Sequence, residues 1–209
     1  RHLGLWGNNA EESVAWTIIA KPINRIIASL KSKKIITNTK AILDIGGTKE
    51  EICNLMDSYD IPSIGGHPMC GVSDNRTWNP NPEIYNGATF LLCETQSTDT
   101  ASKEIVSEML NLLNSKEVWI ERIKHDQIIS VTSHLPHLIS TAIIGVTKKN
   151  NDIAEIMGMN ASGYGEATGF TRTNTAMIRD MYDTKWQNHS WFVKQFIDAL
   201  LNLLNLHYD

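Results

Sequence analysis

The chain has 209 residues, of which 42% are hydrophobic and 20% are charged, and its formal net charge is −4. This composition supplies enough apolar surface for a folded core and excludes an intrinsically disordered chain. Acidic and basic residues are both dispersed, so no nucleic-acid-binding or basic membrane-binding surface is predicted. We therefore expect one large domain or two small ones.

Three cysteines, Cys53, Cys70 and Cys93, are widely spaced and form no CxxC pair. Their odd number and their spacing fit neither a disulfide framework nor a thiolate zinc site, which favours reduced thiols. No apolar run approaches the roughly 20 residues that cross a bilayer, and no signal-peptide pattern opens the chain. The sequence thus predicts a cytoplasmic protein, and its start at Arg1 rather than Met indicates a fragment or a processed chain.

The first half alternates short apolar runs with amphipathic segments. The pattern predicts strands at 16–20, 41–45, 60–64 and 88–93, and helices at 23–30 and 50–56. Alternation of this kind is typical of βαβ units in a parallel sheet. Turn residues follow these strands at their carboxyl ends, where open α/β sheets bind their ligands.

The second half begins after a polar stretch at residues 94–100, which we interpret as a junction between domains 1–94 and 95–209. Beyond this stretch the apolar period becomes mostly helical. The apolar face between residues 191 and 206 is too wide for a solvent-exposed terminal helix. We expect this face to join two copies of the chain in a homodimer.

The segment Gly65-Gly66-His67-Pro68 is the most informative motif of the first half. Pro68 biases the residue before it toward extended geometry, and glycines tolerate dihedrals that are closed to other residues. We therefore expect His67 at a strand end, where a neutral imidazole can act as a base near neutral pH. A tight turn with an incidental histidine is the alternative interpretation.

Three further segments accompany this motif: Asp44 to Lys49 before it, and His125 to His137 and Gly169 to Arg172 after it. In order and separation the four segments resemble the signatures of the TyrA family, the prephenate and arogenate dehydrogenases, over residues 16–180. The resemblance implies an α/β partial Rossmann-like domain followed by an all-α dimerisation domain. It also implies an oxidoreductase of tyrosine biosynthesis that decarboxylates prephenate or arogenate while a hydride passes to NAD or NADP.

The cofactor side of such an enzyme would lie in the first half of the chain. By resemblance, the cofactor-binding residues are Pro22, Asp44, Gly46, Gly47, Thr48 and Lys49. The glycine-rich turn that normally cradles the pyrophosphate at a helix N-terminus does not open this chain, which makes the predicted Rossmann-like domain partial. The segment that resembles the second strand of a Rossmann-like domain does not end in the acidic residue that normally bonds the ribose of NAD. The choice between NAD and NADP therefore stays open. For Asp44, capping of a helix is the alternative role.

The substrate side follows from the same resemblance. His67 would be the base that takes the proton of the substrate hydroxyl, and His134 would contact the substrate with support from Ser133 and His137. Arg172 would bind the substrate carboxylate, because a planar guanidinium suits bidentate recognition, with Arg179 as the alternative. In the family a serine orients the catalytic histidine, but Gly47 stands at the matching position here, and Thr48 could replace that serine only after a shift of the backbone.

Two other functions stay open. One is a non-catalytic protein that keeps the fold and binds an anionic ring metabolite or a partner chain, which the absent glycine turn and Gly47 favour. The other is a metal-dependent hydrolase, since His134 and His137 would share a helix face. No third ligand stands at a recognised zinc spacing, so we expect no metal.

Overall fold

The computed structural model describes residues 16–32, 39–71, 81–150, 162–172 and 175–206. Contacts divide the chain into two units, one of Arg1–Gly71 with Asn81–His125 and the other of Val72–Pro80 with Asp126–Asp209. The start of the chain, which resembles the second strand of a dinucleotide-binding unit, lies outside the described residues. Each unit is described by itself below.

The first unit is built on a five-stranded sheet with the strand order β1-β2-β3-β4-β5. The strands are β1 Thr17–Ile19, β2 Ile42–Asp44, β3 Ser63–Pro68, β4 Thr89–Glu94 and β5 Lys116–Trp119. All neighbouring strands are parallel except β3 and β4, which are antiparallel. The prediction of an α/β, mostly parallel sheet is therefore confirmed. The antiparallel pair differs from it because residues 69–88 carry no amphipathic period for the crossover helix that parallel neighbours need.

Three helices pack with this sheet: α1 Ile23–Ser32, α2 Glu50–Met56 and α3 Thr100–Leu112. The apolar face of α1 is buried, and α3 begins with a capping box in which Asp99 and Ser102 satisfy each other's backbone amides. The core of the unit joins the sheet to α3 through Leu43, Ile64, Phe90, Leu92, Val106 and Leu110. Their burial stabilises the unit at roughly 25 cal/mol per Å² of apolar surface removed from water.

Two boundaries differ from the predictions. The strand predicted at 60–64 begins at Ser63 and continues through Pro68, so the two glycines lie inside β3 rather than in a turn after it. Residues 95–125 group with the first unit rather than with the second half, because β5 pairs with β4 and Val106 and Leu110 of α3 enter its core. The predicted junction after residue 94 is therefore replaced by a division between His125 and Asp126.

The second unit is helical throughout its described residues, as predicted. Helix α4, Arg122–Ile129, continues into a π-helical segment, Ser130–His134, and then into α5, Leu135–Lys149. Helix α6, Ser162–Ala167, a 3₁₀ helix, Gly169–Arg172, and the long helix α7, Thr175–Asn205, follow. The last two turns of α7 expose Leu200, Leu201, Leu203 and Leu204, each at least 45% accessible.

One helical stretch in the described part of the chain, Arg122–Lys149, is long and apolar enough to cross a membrane by length and composition. That observation is weak evidence, since core helices of globular proteins pass the same test. Six polar side chains along this stretch are buried, which are His125, Asp126, Ser130, His134, His137 and Ser140. Buried polar groups normally have hydrogen-bond partners, so this stretch supplies several candidates for a polar site.

Candidate active site

His67 lies near the carboxyl end of β3 and is half-buried. Its Nδ1 is 3.0 Å from Nε2 of His125, and the two rings are tilted by 58° with their centroids 5.2 Å apart. His125 is fully buried. The sequence drew attention to His125 only as part of a motif, whereas the structure makes it the neighbour of the predicted base.

Hydrogen bonds of Arg122 hold His125 beside β3. Its guanidinium donates hydrogen bonds to Asp57 Oδ2 at 2.6 Å, to Asn54 Oδ1 at 2.8 Å and to the carbonyl of Glu94 at 3.1 Å. These bonds tie the first turn of α4 to the end of α2 and the end of β4. Because residues three apart on a helix share a face, the same turn carries His125 to His67.

The two glycines before His67 serve close packing rather than unusual dihedrals. Among the described residues, only Gly87 and Asn114 have positive φ. A Cβ on Gly65 would lie 2.5 Å from Sγ of Cys53, and one on Gly66 would lie 2.8 Å from the carbonyl oxygen of Asp44. Such distances exclude any side chain, so the glycines let α2 and the neighbouring strand approach β3.

Asp44 and Lys49 form a fully buried ion pair beneath this strand. The ammonium of Lys49 donates to Oδ2 of Asp44 and to the carbonyl of Gly66, the latter at 2.6 Å. Asp44 Oδ1 accepts from the backbone amide of Gly46 at 2.7 Å. Burial raises the pKa of Asp44, while the charge of Lys49 and its hydrogen bond oppose that rise. The pair therefore fixes the loop after β2 to the strand that carries His67.

The capping role considered for Asp44 is wrong. Helix α2 begins after Lys49, and no side chain caps its first turn. The carboxylate of Asp44 is used instead by Gly46 and Lys49, both within its own loop.

Gly47, in the loop between β2 and α2, lies next to the Nε2 side of the His67 ring. A Cβ on Gly47 would lie 3.9 Å from Nε2 of His67, which is ordinary contact distance. Thr48 is buried, and its hydroxyl has no hydrogen-bond partner in the part of the chain that the structure describes. Thr48 thus does not take over the role of the family serine toward His67.

Pro22, the remaining predicted cofactor residue, is exposed and precedes α1. Its carbonyl accepts from the amides of Arg25 and Ile26 at 2.8 and 3.0 Å, so it closes the first turn of that helix. Contact of Pro22 with a cofactor stays a prediction.

In the second unit, Ser133 and His134 lie in the π-helical segment and His137 lies in the first turn of α5, next to Pro136. Both histidines are buried, and Ser133 is half-buried. Extra residues in a helix turn of this kind frequently occur at functional sites, because they redirect side chains relative to a regular α-helix.

His137 is packed against the 3₁₀ helix that ends at Arg172. Its ring meets Phe170 edge-on with centroids 5.3 Å apart. Burial lowers the pKa of His137, while a hydrogen bond with the backbone of Phe170 opposes that shift. The neutral imidazole is therefore the form that this environment favours.

The structure gives the two arginines different positions. Arg172 ends the 3₁₀ helix beside His137, and its side chain is outside the described part of the structure. Arg179 lies in α7 and is exposed. The choice between them as the carboxylate-binding residue stays a prediction.

A metal centre has no candidate in residues 16–32, 39–71, 81–150, 162–172 or 175–206, since no group of three His, Cys, Asp or Glu residues converges there. The arrangement on β3 suits proton transfer instead. His67 Nδ1 is engaged by His125, and the opposite ring nitrogen faces the glycine loop, where a reacting hydroxyl could approach a base.

Two family models match the chain in succession. One is described as "Prephenate dehydrogenase, nucleotide-binding domain" and matches residues 7–119, and the other is described as "Prephenate dehydrogenase, dimerization domain" and matches residues 122–206. Together they account for both units of the structure.

Two curated relatives are similar to the chain. The prephenate dehydrogenase of Bacillus subtilis (strain 168) is 26% identical over 177 residues, which are 81% of this chain and 47% of that protein. The cyclohexadienyl dehydrogenase of Zymomonas mobilis is 22% identical over 147 residues, 67% of this chain and 49% of that protein. The chain spans about half the length of the curated relatives it matches.

Solved structures show the same fold. Prephenate dehydrogenase from Aquifex aeolicus, in complex with hydroxyphenyl propionate and NAD+, superposes with a TM-score of 0.79 at 19% identity, covering 94% of this chain and 70% of that one. Synechocystis arogenate dehydrogenase superposes with a TM-score of 0.73 at 20% identity, covering 95% and 72%.

Proposed function

This chain belongs to the prephenate dehydrogenase family, and we propose that it carries the catalytic base and substrate-binding residues of a dehydrogenase that oxidatively decarboxylates prephenate or arogenate. The single observation that supports this most is the half-buried His67. It is bonded at Nδ1 by His125 and turns its Nε2 toward an open glycine loop. The acceptor of the hydride is NAD or NADP.

The proposed reaction removes a hydride from the carbinol carbon of a cyclohexadienol. His67 Nε2 takes the proton of the hydroxyl, which becomes a carbonyl oxygen as the hydride departs. The ring carboxylate then leaves as carbon dioxide, and the electrons of the broken carbon–carbon bond make the ring aromatic, so its oxygen is reprotonated as a phenol. A nicotinamide, when bound, accepts the hydride.

The described residues fit a nicotinamide ring at the glycine loop. Gly47 leaves ordinary contact space beside Nε2 of His67, and the buried Thr48 hydroxyl has no hydrogen-bond partner among the described residues. Buried polar atoms normally have a partner, so a carboxamide or ribose group is a suitable one for Thr48. Asp44 and Lys49 hold this loop rigid from below through their mutual ion pair.

In the second unit we propose His134 and Arg172 as the groups that bind the substrate. Ser133 and His137 support them within the helical segment. His137 packs on Phe170, two residues before Arg172, so a neutral imidazole there would set the position of the 3₁₀ helix. Arg179 is the alternative carboxylate ligand.

The assembly that we propose is a cytoplasmic homodimer joined through the second unit, which matches the dimerization-domain model. Helix α7 exposes Trp191 at 58% and four leucines in its last two turns. Exposed apolar surface of this extent is typical of an interface. Sedimentation of the full-length protein should give a dimer at micromolar concentration, and a stable monomer would contradict this assembly.

Turnover tests the function directly. The full-length protein should reduce NAD or NADP when it is given prephenate or arogenate, as measured by the absorbance of the reduced nicotinamide. All four combinations of substrate and cofactor need to be assayed. If none of the four combinations gives a signal, the alternative function is favoured, which is a non-catalytic member of the family. The specific observation that favours this alternative is Gly47 in place of the family serine. Calorimetric binding of prephenate without turnover would then support that alternative.

A further inference from the structure

We infer that His125 is a positioning residue for His67: it accepts a hydrogen bond from Nδ1 of His67 and holds that ring in the tautomer that leaves the Nε2 lone pair toward the substrate. This inference rests on the proposed function, since it adds a residue to the same site. It assigns a role to a buried histidine that the sequence motifs alone leave unexplained.

The geometry restricts the protons of the pair. The two ring nitrogens are 3.0 Å apart, and between neutral imidazoles only one of the two atoms can carry the hydrogen that lies between them. If Nδ1 of His67 carries it, Nε2 of His67 holds a lone pair. If Nε2 of His125 carries it, Nε2 of His67 holds a hydrogen and cannot act as a base. The proposed reaction therefore requires the first arrangement.

The surroundings make His125 a rigid acceptor. It is fully buried, and it lies one helical turn beyond Arg122, whose guanidinium is bonded to Asn54, Asp57 and the carbonyl of Glu94. A side chain fixed in this way can hold a neighbouring ring at one angle.

His125 also explains how His67 is oriented without the family serine. Gly47 has no hydroxyl, and the hydroxyl of Thr48 has no partner among the described residues. When Nε2 of His67 gains a proton, the Nδ1–H bond to neutral His125 strengthens, because the donor becomes charged. The same contact thus orients the base and stabilises its protonated form.

Nitrogen chemical shifts of isotope-labelled histidine in the full-length protein test the tautomer without any substrate. In the wild-type protein above neutral pH, Nδ1 of His67 should be protonated and Nε2 should not. In His125→Phe the ring should lose this preference. His125→Gln, whose amide oxygen can accept from Nδ1, should retain it. His137→Phe, a change of another buried histidine, should leave the His67 signals unaltered.

Kinetics supply the second measurement. His125→Phe should lower kcat by on the order of 10-fold to 10³-fold with KM little changed, less than the roughly 10⁴-fold loss known for a catalytic histidine held in the wrong tautomer, because the ring here would lose its preference rather than be fixed in the wrong form. His125→Gln should recover part of that loss.

The outcomes separate this inference from the function on which it rests. A wild-type His67 protonated at Nε2 overturns the inference even if the enzyme turns over and even if His125→Phe fails to fold. A His67 that keeps its tautomer in folded His125→Phe overturns it as well. The protein could also be inactive while His67 has the expected tautomer and loses it in His125→Phe. That result supports the positioning role and contradicts only the proposed reaction.

Discussion

The Cβ position of Gly47 lies 3.9 Å from Nε2 of His67, and its nearest neighbour, Cδ1 of Ile23, is 3.8 Å away. A serine side chain therefore fits at this position and could bring its hydroxyl within hydrogen-bonding reach of the ring. Gly46 differs, because a Cβ there would lie 2.8 Å from Cδ1 of Ile26 and 2.9 Å from Oδ1 of Asp44. Two adjacent glycines thus have opposite tolerance for the same substitution.

We predict that Gly47→Ser lowers kcat by roughly 2-fold to 10-fold, because a serine hydroxyl that donates a hydrogen bond of about 0.5–1.5 kcal/mol to Nε2 of His67 would compete with the substrate hydroxyl for that lone pair. Stability to urea should stay nearly unchanged. The matched change Gly46→Ser should lower the free energy of unfolding by about 1–3 kcal/mol through overpacking. Equal stability losses in both variants would mean that the loop is not arranged as described.

His67→Asn should lower kcat by on the order of 10²-fold to 10⁴-fold, the usual contribution of general acid–base catalysis. The substitution keeps a polar side chain at the end of β3, so substrate affinity should change little. The acid limb of the pH dependence of kcat should disappear in the same variant. Near wild-type kcat would remove His67 from the mechanism.

Lys49→Met should lower the free energy of unfolding by about 3–5 kcal/mol, because it leaves the buried carboxylate of Asp44 without its cation. Lys31→Met is the control, since Lys31 pairs with Glu51 at the surface and such pairs contribute roughly 0–1 kcal/mol. Urea denaturation of both variants measures the difference. A small loss for Lys49→Met, accompanied by weaker cofactor binding, would instead indicate that Lys49 acts on the dinucleotide.

Arg172→Leu should raise KM for the carboxylate substrate by a factor that corresponds to roughly 2–4 kcal/mol, the range for truncating one partner of a buried charge pair. Cofactor affinity should stay the same. Arg179→Leu, a change of an exposed arginine, is the control and should have little effect. If only Arg179→Leu raises KM, the alignment of this segment with the family is wrong.

His137 should make the protein less stable in acid. Because burial lowers its pKa in the folded state, the unfolded chain binds a proton first as the pH falls. Stability is therefore complete above the unfolded value of about 6.5 and declines as the pH falls through that value toward the lower folded pKa. His137→Gln should reduce the difference in melting temperature between about pH 7.5 and pH 5.5. If the melting temperature falls equally in the wild-type protein and in His137→Gln, the loss of stability in acid is caused by other titratable groups.

The local pattern was sufficient for most elements of the first unit. The predicted helix at 50–56 matches α2 residue for residue, and the apolar runs at 16–20 and 41–45 contain β1 and β2. Strand β5 was missed, because Lys116, Glu117 and Val118 are exposed at the sheet edge and show no alternation of buried and exposed positions. Strand β5 is identified by its pairing with β4, and the local pattern of apolar and polar residues does not reveal that pairing.

The candidate site could be predicted only where a motif is contiguous. His67 and the loop from Asp44 to Lys49 were found from neighbouring residues, and their roles toward substrate and cofactor stay predictions. The pairing of His67 with His125 joins residues 58 positions apart, so it depends on the tertiary contacts that bring His125 to β3. The hydrogen bond from Lys49 to the carbonyl of Gly66 was missed for a similar reason, because Gly66 lies on another strand.

The residue type that position 65 tolerates depends on the side chain at position 53. The sulfur atom of Cys53 lies 2.5 Å from the position that a Cβ on Gly65 would take, so an alanine at 65 requires the side chain at 53 to move or to become smaller. Neither change is neutral alone, because Cys53→Ala leaves a void beneath β3 and Gly65→Ala forces α2 outward. A change at either position therefore has to be accommodated at the other, directly beside the strand that carries His67.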